Sequence, residues 1–291
     1  MKDPTWSQTL LNLLSLALRL EAEGQYNLAK IARAKVDSLS RRKAWEMGAS
    51  SNRESILRDI KLLLPKLDEP DLRTAFEKGV SAMGEGRLPL LDEIPHPFVC
   101  RTCGYFSFQP LPNQCPDCGA WASTFQKFQP IYWLDEFEPS EALESLRETP
   151  QIVEKFLKGL DQSILLAPAE DGGWSIHQVV SHLSDAQGVI ASRVTQFMEE
   201  ENPILQSKAV FAWAFNQNDR PHSTREIFNQ YLESRSAMIG QLEHIPSELW
   251  ERIGIHDEFG EVSLKQQVSY FSAHELTHLR QIDRLVKREK A

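Results

Sequence analysis

Residues 263–278 read SLKQQVSYFSAHELTH, and this stretch contains both the start of a helix and two histidines one turn apart. Ser263 and Gln266 have the spacing of a capping box, in which each side chain accepts a hydrogen bond from the other residue's backbone N–H. A helix is therefore predicted over about 263–288. On it, His274 and His278 share one face, where two imidazoles can bind the same metal ion.

Similar signals predict three more helices upstream. In Thr149-Pro150, the proline suits the first turn of a helix. Two further capping boxes are formed by Ser175 with Gln178 and by Ser223 with Glu226. The four predicted helices cover about 150–166, 175–200, 223–245 and 263–288. With one long connection near 201–222, they indicate a four-helix bundle over residues 135–291.

The N-terminal residues 1–95 are also predicted to be helical. Leu10, Leu11, Leu14 and Leu18 recur at helical spacing, and further helices are predicted over 26–45 and 53–64. Glycines and prolines between positions 79 and 97 mark the end of this region. The fold class is therefore mostly α, with an N-terminal helical domain, a small β unit over 96–130 and the bundle.

The composition is that of an ordinary globular protein of 291 residues, with 41% hydrophobic and 25% charged residues. A net charge of -9 argues against binding of the whole surface to nucleic acid or an anionic membrane. The Leu-rich N-terminus is interrupted by polar residues and is typical of an amphipathic helix, not a signal peptide. A cytoplasmic location and a small-molecule substrate are expected, without membrane or nucleic-acid partners, and a homodimer is left open.

One segment departs from this acidic balance. Residues 30–66 contain ten Lys or Arg residues and four acids, a local charge of +6. A solvated helix face is the favoured interpretation. The alternative is a surface for nucleic acid or an acidic partner, as in a non-catalytic, metal-stabilised binding or regulatory module.

Two Cys-x-x-Cys pairs, separated by eleven residues, give a strong metal-site signal. Four thiolates at Cys100, Cys103, Cys115 and Cys118 suit a tetrahedral ion. Structural zinc is favoured, and iron that passes electrons is the alternative, because thiolate sites accept either metal. The strings CRTCGY and CPDCG resemble the rubredoxin-like ribbon of rubrerythrins, and Phe125 and Phe128 lie where that family often has aromatics. The first 95 residues contain no histidine, so a rubrerythrin-like di-iron site is not expected.

The letters His274-Glu275-Leu276-Thr277-His278 also match the motif of zinc metalloproteases. Such a site needs a third ligand downstream, yet only 13 residues follow, without a histidine. His182, at the border of the apolar stripe of the 175–200 helix, can instead point into the bundle. A three-His site with an open fourth position for water or substrate is therefore predicted.

The pattern Trp174…His182-Leu183 followed by His274-x-x-x-His278-x-x-Gln281 resembles the DinB-like bundle proteins over about residues 140–286. That family includes enzymes that use low-molecular-weight thiols such as bacillithiol and mycothiol. The resemblance implies that His182, His274 and His278 bind a divalent metal, commonly zinc or nickel. It does not imply DNA polymerase activity.

The sequence does not identify the catalytic group, and Glu275 and Asp185 are the candidates for it. Glu275 is turned about 100° from His274, so a solvated carboxylate or one that supports a ligand is expected. Asp185 is a candidate partner of a metal ligand, and His177 is not expected to be a ligand. The aromatic loop 211–216 could line a thiol pocket or close the core.

Three functions follow in order of preference. Metal-dependent thiol transfer comes first, with hydrolysis as a close variant. Electron transfer from a ribbon iron to the histidine-bound metal comes second. The non-catalytic module comes third.

Overall fold

The computed structural model describes residues 4–48, 53–108, 110–131, 133–169, 173–208 and 222–289. The chain forms two units: Met1–Asp68 with Val99–Gln126, and Glu69–Phe98 with Lys127–Ala291. The division into 1–95, 96–130 and 135–291 stays a prediction, and in this structure residues 69–98 belong to the same unit as the bundle. No helix in the described ranges is both long and apolar enough to cross a membrane.

The first unit begins with three helices, α1 (Pro4–Ala22), α2 (Tyr26–Met47) and α3 (Arg53–Leu63), followed by a short 3-10 turn at Leu64–Lys66. Small buried residues, Ala17, Ala29 and Ala32, let α1 and α2 pack closely. Several cations of the basic segment pair with acids: Arg33 with Glu21, Arg41 with Asp37, and Arg42 and Lys43 with Glu46. This pairing supports the solvated-face interpretation.

The cysteines lie in a small three-stranded sheet of order β2-β1-β3, formed by β1 (Phe98–Cys100), β2 (Phe106–Ser107) and β3 (Phe125–Lys127). Each Cys-x-x-Cys pair ends in a tight turn closed by a glycine. Gly104 N–H donates to the carbonyl of Cys100, and Gly119 N–H to that of Cys115, both at 2.9 Å. The φ angles of 86° and 74° at these positions favour glycine, which has no Cβ to clash.

The second unit contains α4 (Pro70–Glu85) and the bundle. The bundle comprises α5 (Pro139–Leu157), α6 (Gln162–Leu166), α7 (Ile176–Glu199), α8 (Thr224–Leu242), α9 (Ser247–Trp250) and α10 (Leu264–Glu289). Helix α10 packs against α5 and α7, and α7 packs against α8. A second sheet pairs β4 (Ile204–Leu205) parallel to β5 (Ile253–His256), which is antiparallel to β6 (Gly260–Ser263).

The bundle core follows from the apolar faces of these helices. The predicted stripe on α7 is confirmed, because Ile176, Val179, Val180, Leu183 and Ile190 are all buried. The three capping boxes are also confirmed at the starts of α7, α8 and α10. These boxes fix where each helix begins, and therefore which residues face the core.

The predicted first helix of the bundle, 150–166, is wrong. Helix α5 begins at Pro139, where Glu138 and Glu141 form a capping box, and it continues through Pro150 to Leu157. A proline inside a helix has no N–H to donate to the carbonyl four residues earlier. That carbonyl, of Leu146, instead accepts a hydrogen bond from Arg235 Nη1 at 2.9 Å. A long-range contact therefore satisfies the group that the proline leaves open.

Candidate metal centres

The structure brings the three predicted histidines together. His182 lies on α7, and His274 and His278 lie one turn apart on α10. The Nε2 atom of His274 is 3.3 Å from Nε2 of His182 and 3.1 Å from Nε2 of His278. His182 is buried, whereas the other two are half-buried, so the group lies at the edge of the bundle core.

This donor set fits a divalent metal. Zn–N bonds of about 2.0–2.1 Å in a tetrahedral site place two ligand nitrogens about 3.3 Å apart. Burial, with smaller contributions from His278 and His182, lowers the pKa of His274 to about 3. Burial also lowers the pKa of His278, while its bond to Gln281 acts in the opposite direction. Neutral imidazoles with converging lone pairs are what metal binding requires.

Gln281 fixes the orientation of one ring. Its Oε1 atom lies 2.9 Å from Nδ1 of His278 and accepts a hydrogen bond from the N–H at that position. The Nε2 atom of His278 therefore presents its lone pair to the other two histidines. Gln281 was part of the sequence pattern, but its role as hydrogen-bond acceptor emerges only from the geometry.

Aromatic rings border the three histidines on two sides. Trp174 stacks on His278, with ring centroids 6.1 Å apart and an angle of 11°, and lies 4.9 Å from the ring of His182. Tyr270, one turn before His274 on α10, lies 5.9 Å from its ring. Both aromatic side chains are half-buried. They give the site apolar walls on these two sides.

Glu275 is not solvated, which corrects one of the two expectations for it. It is only 1% exposed and forms an ion pair with Arg235 on α8. Its other oxygen accepts a hydrogen bond from the hydroxyl of Tyr231 at 3.3 Å. Burial, reinforced by the charge of Glu275, raises the pKa of Tyr231 well above 10, so this hydroxyl remains a donor. Sequence reasoning missed Arg235 and Tyr231, because no local pattern links them to the motif.

The remaining candidates on α7 have different environments. His177 is buried, and its Nδ1 atom lies 2.8 Å from the hydroxyl of Thr224; its exclusion as a ligand stays a prediction. Asp185 is half-buried, three residues after His182, and its part in supporting a ligand stays a prediction. The aromatic loop Phe211-Ala-Trp213-Ala-Phe215-Asn216 lies outside the described residues.

The four cysteines also converge. Sγ of Cys100 is 3.8 Å from Sγ of Cys118, and Sγ of Cys103 is 3.5 Å from Sγ of Cys115. Zn–S bonds of about 2.3 Å in a tetrahedral site imply an S···S distance of about 3.8 Å. Burial raises the pKa of the Cys100 thiol, but hydrogen bonds from the backbone N–H groups of Cys103 and Thr102 and from the side chains of Cys118 and Cys103 together outweigh it and lower the pKa to about 6. The geometry fits one tetrahedral ion, whichever metal is bound.

Comparison with known proteins places the bundle in a family. Residues 145–282 match the model of the DinB superfamily. A Bacillus cereus protein is 26% identical over 147 residues, which are 50% of this chain and 84% of that protein. An Oceanobacillus iheyensis protein is 23% identical over 152 residues, 52% of this chain and 87% of that protein. The names of both relatives assign them provisionally to the metal-dependent hydrolases.

Two solved structures share weaker similarity. One is YfiT from Bacillus subtilis, which is described provisionally as a metal-dependent hydrolase with an unusual four-helix bundle topology. It has a TM-score of 0.49 and 21% identity to this chain, and the match covers 56% of this chain and 94% of that chain. A mycothiol-dependent maleylpyruvate isomerase has a TM-score of 0.41 and 12% identity, covering 51% and 62%. The family match rests on the sequence model and confirms the resemblance seen in the histidine pattern: residues 145–282 of this chain are a DinB superfamily domain.

Proposed function

We propose that the bundle is a metal-dependent enzyme that uses His182, His274 and His278 to hold one divalent ion, zinc or nickel. Its reaction is the transfer of a low-molecular-weight thiol or the hydrolysis of a small substrate. The observation that carries the proposal is the convergence of the three Nε2 atoms: that of His274 lies 3.1 Å from that of His278 and 3.3 Å from that of His182. The group lies at the edge of the bundle core. The provisional names of the relatives point to the second of these reactions, metal-dependent hydrolysis.

When bound by three histidines, such an ion leaves a position for water or a thiol and lowers the pKa of that group toward neutrality. The protein's own residues supply the arrangement around it. Gln281 holds the proton on Nδ1 of His278, and Trp174 covers the ring of His278 on one face. Tyr270 borders the site on the side of His274.

Glu275 does not have the geometry of a general base. In a metalloprotease the corresponding glutamate must reach a reacting water. Here both carboxylate oxygens have partners inside the core, Arg235 and Tyr231. The proposal therefore assigns activation of the nucleophile to the ion and leaves Glu275 without an acid–base role.

For the four-cysteine site we propose a structural zinc. Four thiolates fill the coordination of a tetrahedral ion, which leaves no position for substrate. The sheet around it has only short strands of two or three residues, so a bound ion would contribute much of the stability of this part of the chain.

The test is activity with two model reactions after zinc or nickel loading. One is conjugation of bacillithiol or mycothiol to 1-chloro-2,4-dinitrobenzene, and the other is hydrolysis of p-nitrophenyl acetate. His182→Ala should reduce the faster reaction to the uncatalysed rate. His244→Ala is the matched control, because that histidine is exposed at the end of α8 and should leave the rate unchanged. A His182→Ala variant as active as the wild type would overturn the proposal.

A further inference from the structure

A buried polar network crosses the bundle behind the histidines. Its centre is Arg235 on α8, which is 2% exposed and forms an ion pair with Glu275 of α10. Its Nε atom donates to Oε1 of Gln187 on α7 at 2.6 Å, and Nη1 donates to the carbonyl of Leu146 on α5 at 2.9 Å. One guanidinium group therefore connects all four long helices of the bundle.

The sequence builds this network at specific positions. Pro150 removes the helical donor to Leu146, which leaves the carbonyl available to Arg235. Tyr231, one turn before Arg235 on α8, donates to the second oxygen of Glu275. A buried ion pair of this kind is weak evidence for added stability, because desolvation of both charges opposes their attraction. Directional bonds from four helices do, however, restrict how those helices can rotate against one another.

The link to the metal site is the chain itself. Glu275 directly follows His274, and His278 lies one turn further along the same helix. Any rotation of α10 that moved Glu275 away from Arg235 would turn both histidines away from His182 by the same angle. Metal sites need their ligands held within about 0.5 Å and 10–20° of the working geometry.

We propose that Arg235 and Glu275 are positioning residues that fix the rotation of α10, so that His274 and His278 face His182. This inference rests on metal binding by the three histidines, as in the proposed function, but not on the reaction. The glutamate of the His-Glu-Leu-Thr-His motif thus acts through the helix, from a side of α10 turned about 100° from His274, and does not touch substrate.

The test is Co²⁺ binding by the full chain after the four-cysteine site has been filled with zinc. Affinity is measured by competition with a chelator, and geometry by the visible absorption of the bound Co²⁺. Glu275→Gln keeps the side-chain shape but removes the charge that holds Arg235. We expect its affinity for Co²⁺ to fall by about tenfold or more, with an altered spectrum. Asp283→Asn is the control, since it makes the same chemical change on α10 at an ion pair with Lys287, and it should bind as the wild type does.

A second variant separates positioning from a general loss of stability. Tyr231→Phe, Arg235→Met and Glu275→Leu are combined, because replacement of a buried ion pair by apolar residues avoids the uncompensated charge that loss of one partner leaves behind. We expect this triple variant, in which only the Leu146 carbonyl and the Gln187 oxygen lose a partner, to be more stable than Glu275→Gln while its Co²⁺ affinity stays reduced by about tenfold or more. The reduced affinity of a stable protein is a result that a purely structural role would not produce.

Three results have distinct meanings. Wild-type affinity and spectrum in Glu275→Gln, or in a stable triple variant, would overturn the positioning role. A wild type that binds Co²⁺ at the histidines but catalyses neither model reaction would end the proposed function alone. A wild type that takes up no Co²⁺ beyond the cysteine site would overturn both.

Discussion

The bond between His278 and Gln281 allows a quantitative prediction for metal affinity. Nδ1 of His278 donates to Oε1 of Gln281 at 2.9 Å, which leaves Nε2 free to bind the ion. Gln281→Leu removes this acceptor while retaining much of the side-chain bulk. The ring would then be free to rotate and to carry its proton on either nitrogen.

The expected magnitude follows from the position of the bond. It is half-buried at both residues, so its net contribution should be about 1–1.5 kcal/mol, the upper half of the range for a neutral hydrogen bond. This corresponds to about 5- to 13-fold weaker zinc binding at 25 °C. The value overlaps the loss of about 10- to 100-fold that is typical when the hydrogen-bond partner of a metal-binding histidine is removed.

The assay is competition for zinc with a chromophoric chelator. The data are fitted with two independent binding sites, so that zinc binding at the four cysteines is separated from zinc binding at the histidines. Gln281→Glu is the control variant: it keeps an acceptor at the same place and should bind zinc at least as tightly as the wild type. Wild-type affinity in Gln281→Leu would refute the reasoning. So would a Glu variant as weak as the Leu variant, because the acceptor would then be irrelevant.

Three further predictions concern stability and the second metal. Burial, with Arg193 contributing, lowers the pKa of His256 to about 4, against about 6.5 in the unfolded chain. As the pH falls from 6.5 to 4, the unfolded state therefore takes up the proton first. Over that window the free energy of unfolding in urea should fall by up to about 3 kcal/mol more in the wild type than in His256→Asn. Equal decreases in the two proteins would contradict this account. Gly254→Ala would place a Cβ 3.0 Å from Phe197 and Pro203 and should destabilise the protein by about 1–3 kcal/mol in the same assay. Gly188→Ala is the control and should be stabilising, because Gly188 is exposed on α7 with open space around it. Equal effects of the two substitutions would show that the space around Gly254 is not limiting. Cys103→Ser should abolish metal binding at the cysteines without changing metal binding at the histidines. The wild type as purified should be colourless if the cysteines hold zinc, because a ferric thiolate site would absorb visible light.

The sequence predicts features that depend on short spacings. The capping box at Ser263, the pair His274 and His278, and the two cysteine pairs each lie within a few residues of chain, where helix or turn geometry determines distance. His182 could be added because it borders an apolar stripe that must face the core.

The features that could not be predicted depend on contacts between distant residues. Nothing in the sequence near Glu275 indicates that this glutamate will form a buried ion pair with Arg235, forty positions earlier. The error at α5 has the same origin. Pro150 looked like a helix start because a proline in a helix interior normally costs a hydrogen bond, and the donor that compensates comes from another helix.

Metal content is the most direct test of the three-histidine site. Purified, metal-loaded wild type should contain two metal ions per chain, one at the cysteines and one at the histidines. His182→Ala should retain only the first, while His244→Ala should retain both. A His182→Ala variant that still binds two ions per chain would contradict the assignment of His182 as the ligand that completes the site.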